Sequence, residues 1–221
     1  DLHTALASPG LGLIAEFKPR SPSRGELRVG ADPEAIARAY RPYAAAVSVL
    51  CDAPFFGGSR EALATIRRVS GLPVLCKDFV VTPYQVVGAR AWGADGILLM
   101  AALLPGEEIA ALQRLAADLG MAALVEAHDE AELDAALSAG ARIVGINSRD
   151  LRTLDVDLAR IEALADRIPD GVVRVGESGV HSAADVDRLS GQVDALLIGT
   201  ELMLAADPAA RIEALGWSPC R

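Results

Sequence analysis

The sequence predicts an α/β protein, a closed (β/α)8 barrel forming a single domain over residues 1–221. Short apolar runs alternate with helical patterns along the whole chain, and that alternation makes a parallel sheet with right-handed crossovers. Eight strand–helix units in 221 residues fit a closed barrel better than an open doubly wound sheet. Three stretches echo one another: AWGADGILLM, SAGARIVGIN and SGQVDALLIG each run from a helix end through a Gly turn into a strand. No linker, low-complexity tract or second domain interrupts the pattern.

The first strand falls near 12–18 and runs into a Pro- and Ser-rich loop. A helix near 33–43 opens with Asp32 as its N-cap and Pro33 in its first turn. The second strand, near 47–51, leads to a helix near 59–70, and the third, near 73–79, to one near 83–92. A strand near 96–101 precedes a helix near 105–118. The fifth strand, near 122–127, precedes a helix near 129–139 that has acids in its first turn and ends at Ala139-Gly140. Strands near 143–147, 172–178 and 195–200 are followed by helices near 157–167, 182–190 and 207–215.

Composition narrows the function. Hydrophobic residues make up 52% and aromatics only 4%, so the core is built from Ala, Leu, Val and Ile, a mix that suits strands buried on both sides. With 21 basic and 30 acidic residues the net charge is −9. That argues against nucleic acid or an anionic membrane as the main partner and leaves room for a small anionic ligand. No apolar run reaches the roughly 18 residues of a membrane span, and no signal peptide is visible. The chain begins at Asp1 rather than Met, which is compatible with a trimmed start. Cys51, Cys76 and Cys220 are odd in number and lack a CxxC spacing. That fits a reducing compartment, so a cytoplasmic location is expected. Cys51 and Cys76 read as small buried hydrophobes near two strand ends.

Chemistry in such barrels sits at the C-terminal ends of the strands. There the sequence places Glu16 and Lys18, Cys51 and Asp52, Lys77, Glu126, Asn147 and Arg149, Glu177 to Gly179, and Gly199 with Thr200. Glu16 and Lys18 share a face with Ile14, and Lys77 shares one with Leu75 and Phe79. Each alone has a plain structural explanation: an ion pair at a strand end, a solvated lysine, an asparagine serving loop backbone. Together they do not, because an unpaired buried charge costs several kcal/mol and a merely structural barrel fills such positions with Val, Ile or Leu. His128 falls in the turn after the fifth strand. His3 and His181 read as exposed, and no histidine is assigned a catalytic role.

ESGVHS and IGTELM stand after the seventh and eighth strands, where barrels of this type hold phosphate on backbone N–H groups. Ser178, Gly179, Gly199 and Thr200 are the candidate cradle, with Ser21 closing a third side. Dinucleotide, P-loop, zincin and GxSxG motifs are all missing. Histidines and cysteines are too few and scattered for a metal site, so no metal is expected.

IAEFKPRSPSRG, SVLCDAPFFGGS, VLCKDFVVTPYQV, GADGILLMAALLP, LVEAHDEAELDAAL, GINSRDLRTLDVDL, GESGV and LLIGTELM closely resemble, in order, the motifs of the indole-3-glycerol phosphate synthase family of tryptophan biosynthesis. The likeness covers about residues 13 to 208. It implies a TIM barrel that converts 1-(2-carboxyphenylamino)-1-deoxyribulose 5-phosphate to indole-3-glycerol phosphate, with loss of carbon dioxide and water and without a cofactor. By that resemblance Lys77 is the general acid, and Glu126, Glu16 and Lys18 share the proton transfers of the dehydration, their order left open. Burial among apolar neighbours or a second cation would lower the Lys77 pKa and sharpen it as an acid. Lys18 and Arg149 hold the carboxylate, Asn147 binds sugar hydroxyls and Glu177 orients the lysines. Phe56, Phe79 and Leu98 pack on the aromatic ring, while Ser21, Ser178, Gly179, Gly199 and Thr200 bind phosphate. The expected partner is a phosphorylated, carboxylated small molecule, bound by a monomer.

Three positions depart from the family pattern: Cys76 before the KDF run, Ser148 in N-S-R-D-L and Gly176 before ESG. None is a presumed catalytic group. Resemblance to the family implies a longer helical N-terminal extension over the mouth; only a dozen residues precede the first strand here, so either the chain is shortened or that cover is absent. Phosphoribosylanthranilate isomerase is the rival among phosphate-binding barrels, but its Cys/Asp pair at the first and sixth strands is missing here. A truncated or engineered barrel that binds phosphate without turnover is the rival of another class.

Overall fold

In the structure, a computed structural model, residues 1–150 and 153–219 are described. Cys220 lies outside them. Eight parallel strands close into one barrel in chain order. They are β1 (Gly12–Phe17), β2 (Ala46–Leu50), β3 (Val74–Lys77), β4 (Gly96–Met100), β5 (Ala122–Ala127), β6 (Ile143–Asn147), β7 (Val173–Glu177) and β8 (Ala195–Ile198). The barrel shuts where β1 pairs with β8, Ile14 opposite Leu197, and with β2, Glu16 opposite Ser48.

The helices between them are Pro33–Tyr40, Arg60–Ser70, Pro83–Ala91, Gly106–Asp118, Glu130–Ser138, Ala159–Ala165, Ala183–Leu189 and Pro208–Leu215. Their starts are written in side chains. Asp32, Ser59, Thr82, Asp129, Ser182 and Asp207 each accept a hydrogen bond from the first turn, satisfying donors that the helix leaves free. The helices predicted near 33–43 and 157–167 are shorter, Pro33–Tyr40 and Ala159–Ala165. The third strand stops at Lys77, two residues before its predicted end, and the eighth stops at Ile198 because a short helix, Thr200–Leu204, starts there. Two further short pieces have no strong periodic signal: helix Ala53–Phe56 after β2, and a hairpin of Arg20–Ser21 with Gly25–Glu26.

The period of two divides each strand between two cores. Leu13, Ala15 and Phe17 of β1 join the layer under the helices. Ile14 joins Leu75, Leu98, Leu124, Val175 and Leu197 inside the barrel. The strand starts inside are small, with Ala46, Gly96, Ala122 and Ala195. The space they leave is filled by Leu2 and Leu6 of an N-terminal helix, Leu2–Leu6. A Cβ on Gly96 would stand 2.4 Å from Leu2 Cδ2. So the residues before β1 close the floor of the barrel and leave the mouth, at the opposite end, free of them. His3, predicted exposed, is half-buried there beside Arg142.

Floor and mouth are therefore separable. Leu2→Ala, which empties a site only 1% exposed, should cost about 3 kcal/mol, read as a lowered Tm, while kcat stays unchanged.

Candidate active site

The inward register that gives Ile14, Leu75, Leu98 and Leu124 lower in the barrel gives Glu16, Lys77, Met100 and Glu126 one step higher. Asn147 and Glu177 stand opposite each other on β6 and β7. Glu16, Lys77, Glu126, Asn147 and Glu177 are all buried, between 2% and 8% exposed. They form the base of a cavity of about 430 Å³ at the C-terminal end of the barrel. The candidate catalytic, ring-binding and phosphate-binding residues line it: Glu16, Lys18, Ser21, Phe56, Lys77, Phe79, Leu98, Glu126, Asn147, Arg149, Glu177, Ser178, Gly179, Gly199 and Thr200.

Lys77 is the hub. Its Nζ lies 2.7 Å from Glu126 Oε2 and 2.6 Å from Glu177 Oε2. Asn147 Nδ2 donates to Glu126 Oε1 at 3.0 Å, and Asn147 Oδ1 accepts from the backbone N–H of Arg149 at 3.0 Å. Across the mouth, Lys18 Nζ pairs with Glu16 Oε1 at 2.7 Å, and Ser48 donates to Glu16 Oε2 at 3.4 Å. Tyr40 anchors this end of β1 by donating to the Glu16 carbonyl at 3.1 Å.

Two glycines make room for the carboxylates. A Cβ on Gly145 would stand 2.1 Å from Glu177 Oε1, and one on Gly199 would stand 2.3 Å from Glu16 Oε1. At either position a side chain would force the carboxylate to move.

Burial pulls the Lys77 pKa down, but the carboxylates of Glu126, Glu177 and Glu16 outweigh it and hold the ammonium well above the ordinary lysine value. The lowering that the sequence reading looked for does not occur. The missing condition is apolar or cationic company, since carboxylates surround this lysine. Burial raises Glu126, but Lys77, His128 and Asn147 more than offset that and keep it a carboxylate. Glu177 goes the other way. Burial, with the repulsion of Glu126 and Glu16, outweighs Lys77 and pushes it up to about 7.

The apolar wall is built around the short helix Ala53–Phe56. Asp52 caps it by accepting from Phe55 N at 2.7 Å and Phe56 N at 3.2 Å. Arg20 donates to the carbonyls of Ala53, Pro54 and Phe55, tying that helix to the loop after β1. The rings of Phe56 and Phe79 stand 6.2 Å apart with their planes tilted by 46°. Leu98 and Met100 lie beneath on β4.

The cradle loops carry the marks of close approach. Ser178 has φ +67° and Gly179 φ +81°, a region in which a non-glycine residue is uncommon. A Cβ on Gly179 would also stand 2.5 Å from Val156 and 2.8 Å from Leu158.

Some lining residues escaped the sequence reading. Met100 lines the cavity and Ser48 lies buried behind Glu16; both share the inward register of their strands, and that periodicity is the signal that finds them. Arg24, on the hairpin loop, faces the same cavity as Arg149. Burial and then the nearby Arg24 charge lower the Arg149 pKa. Neither guanidinium has a carboxylate within salt-bridge distance among the described residues. Loop residues such as Arg24 have no period to betray them. The positions that depart from the family motifs stay out of the polar cluster. Cys76 faces the outer core with Sγ 3.5 Å from Cys51 Sγ, Gly176 packs on Ile161, and Ser148 is fully buried.

The whole chain can now be set beside known proteins. The sequence pattern of the family described as indole-3-glycerol phosphate synthase matches residues 1–215. The chain belongs to this family. Indole-3-glycerol phosphate synthase 2 of Streptomyces coelicolor is 49% identical over 217 residues, covering 97% of this chain and 84% of that protein. The indole-3-glycerol phosphate synthase of Parafrankia sp. is 48% identical over 210 residues, covering 94% of this chain and 78% of its own. Two solved structures match the fold at low identity. A thiamine phosphate pyrophosphorylase from Pyrococcus furiosus has TM-score 0.68 at 20% identity, with 97% of this chain and 96% of that one covered. A 3-hexulose-6-phosphate synthase has TM-score 0.74 at 15% identity, with 93% and 98% covered. Membership of the indole-3-glycerol phosphate synthase family makes the chain an enzyme of tryptophan biosynthesis acting on a phosphorylated small molecule. Among the described residues no helix is long and apolar enough to cross a membrane.

Two outcomes follow. Gly199→Ala should drive the Glu16 carboxylate out of place and lower kcat/KM by at least about tenfold, since misplacements of this size cost up to about 100-fold; steady-state kinetics checks it. Between pH 5 and 8 the folded chain binds more protons at Glu177 than the unfolded chain does, so Glu177 lowers stability as pH rises. Glu177→Gln removes that loss. Its stability relative to the parent should grow by roughly 2 kcal/mol between pH 5 and 8, read by chemical denaturation at both values.

Proposed function

We propose that the cavity carries out the family's ring closure as a carbon–carbon lyase reaction. The observation that carries this reading is the Lys77 ammonium held 2.7 Å from Glu126 and 2.6 Å from Glu177, on the base of a cavity whose rim bears the Ser178-Gly179 and Gly199-Thr200 loops. The substrate is 1-(2-carboxyphenylamino)-1-deoxyribulose 5-phosphate. Its phosphate lies on those loops and Ser21, and its aromatic ring against Phe56, Phe79 and Leu98. Arg149, with Arg24 facing it, supplies positive charge without an acidic partner among the described residues. Lys18 steers the carboxylate and Asn147 meets the sugar hydroxyls.

In the first step the ring carbon bearing the carboxylate attacks the ketone carbon. Lys77 gives its proton to the ketone oxygen as the bond forms. The carboxylate then leaves as carbon dioxide, its bonding pair returning to the ring. In the second step water is lost. The Lys18 ammonium, oriented by Glu16, protonates the departing hydroxyl. Glu126, the group kept as a carboxylate, takes the proton that the ring system gives up. One proton enters and one leaves, so the dehydration balances. Each acid–base group contributes about 10²- to 10⁴-fold. Glu177 sets the position and proton affinity of Lys77. One chain supplies every one of these groups, which supports a monomer. The thiols of Cys51 and Cys76, 3.5 Å apart and unbridged, suit the reducing cytoplasm.

Lys77→Ala should lower kcat by at least about 10³-fold while inorganic phosphate still binds within about threefold of the parent Kd, because the cradle is untouched. Indole fluorescence reads the turnover and calorimetry the binding. A parent protein that binds the substrate and never releases indole-3-glycerol phosphate would sink the reading.

A further inference from the structure

Glu126 has a neighbour behind it that the reaction scheme does not use. His128 leaves β5 in the turn before helix Glu130–Ser138 and is largely buried. Glu132 Oε2 accepts from its backbone N–H at 2.8 Å and lies 3.0 Å from its ring Nδ1. A carboxylate oxygen can only accept, so Nδ1 carries a hydrogen. The other ring nitrogen, Nε2, is 3.3 Å from Glu126 Oε1, at an angle outside good hydrogen-bond geometry. A neutral ring with its hydrogen on Nδ1 would turn the Nε2 lone pair toward the carboxylate lone pair. That arrangement is repulsive. The contact becomes attractive only when Nε2 is protonated as well.

We propose that His128 is a positioning residue, an imidazolium clamped between Glu132 and Glu126 that holds the Glu126 carboxylate toward Lys77 and Asn147. The inference rests on the reading of Glu126 given above. Glu126 Oε2 is occupied by Lys77 and Oε1 by Asn147. The His128 charge restrains Oε1 from the outer side. Charged groups face the ring from two elements, Glu126 on its own strand and Glu132 on the following helix. Lys77 and Glu177 stand behind Glu126. Burial lowers the His128 pKa, but the two carboxylates outweigh it and raise it above the ordinary histidine value. The imidazolium therefore persists through neutral pH and is lost on the alkaline side. Its loss turns a donor toward Glu126 into a lone pair, and Glu126 swings away from Lys77.

The test combines proton NMR of the histidine rings with pH profiles of kcat/KM, on the full chain. In the parent, the His128 ring should titrate above 6.5 and the alkaline fall of kcat/KM should track it. His128→Leu should lower kcat about tenfold or more, because it removes a charge that faces Glu126 at 3.3 Å. His128→Gln, whose side-chain amide offers a permanent donor near the Nε2 position, should restore most of that loss and remove the part of the alkaline fall that tracks the ring. Glu132→Gln should move the ring titration and the alkaline fall downward together. A ring titrating below 6.5, an unchanged kcat in His128→Leu, or a parent-like alkaline fall in His128→Gln would each overturn the proposal. The ring titration also separates this inference from the catalytic reading. Glu126→Gln should lower the His128 pKa whether or not the substrate is turned over, and an unmoved pKa would show that the two groups are not coupled.

Discussion

One buried ammonium shared by two buried carboxylates governs the upper half of this barrel. Taking a charge out of water costs several kcal/mol, and Coulomb attraction repays it only with close geometry and satisfied hydrogen bonds. Lys77 meets that condition through Glu126 and Glu177, and Asn147 satisfies the second oxygen of Glu126. The second oxygen of Glu177 is buried without a partner among the described residues. Burial raises both carboxyls, but hydrogen bonds and charges offset it at Glu126 and not at Glu177. The lattice of contacts also dictates residues that carry no chemistry. Gly145 and Gly199 are glycines because carboxylate oxygens occupy the space of their side chains.

The charged layer is affordable because the rest of the interior is not charged. Beneath it lie Ile14, Leu75, Leu98, Leu124, Val175 and Leu197, and below them the floor closed by Leu2 and Leu6. The outer core between strands and helices is larger and apolar. Stability is thus drawn from two apolar layers that meet the cavity only at their upper edge, at residues such as Leu98 and Leu197, while the mouth tolerates repulsion among Glu16, Glu126 and Glu177. Barrels commonly divide stability and chemistry between their two ends in this way. Here the N-terminal helix takes part on the stability side.

Much of this was legible in the sequence because both cores are periodic. The eight apolar runs gave the barrel, and the alternation within them placed Glu16, Lys77 and Glu126 on the inner face. The motif likeness then tied Asn147, Glu177 and the phosphate loops to the same mouth. Three kinds of information were not legible. Leu2 and Leu6 sit in too short a segment to show helical periodicity, and only the small residues opposite them reveal their purpose. Arg24 and the helix Ala53–Phe56 belong to loops, where neither period applies. The direction of the Lys77 shift depends on which groups meet it across the barrel. Glu126 is 49 residues away in the chain and Glu177 is 100, distances at which sequence gives proximity but not contact geometry.

The raised proton affinity of Lys77 bears on the acid role proposed for it. An ammonium flanked by two carboxylates is a reluctant donor, and general acid catalysis is most effective when the pKa lies near the working pH. Each neighbouring carboxylate that is neutralised removes part of that reluctance. Glu126 cannot be the one, since Lys77, Asn147 and His128 all favour its ionised form. Glu177, lifted to about 7, gains and loses a proton at neutral pH. With Glu177 neutral, Lys77 faces a single carboxylate and yields its proton more readily. In the proposed reaction an aromatic ring packed against Phe56 and Phe79 would exclude water from this layer, and that desolvation favours the neutral form of Glu177. Substrate binding and proton donation are thereby coupled through a residue that need not touch the reacting atoms, and the two glutamates, alike in sequence and equally buried, come to hold opposite roles.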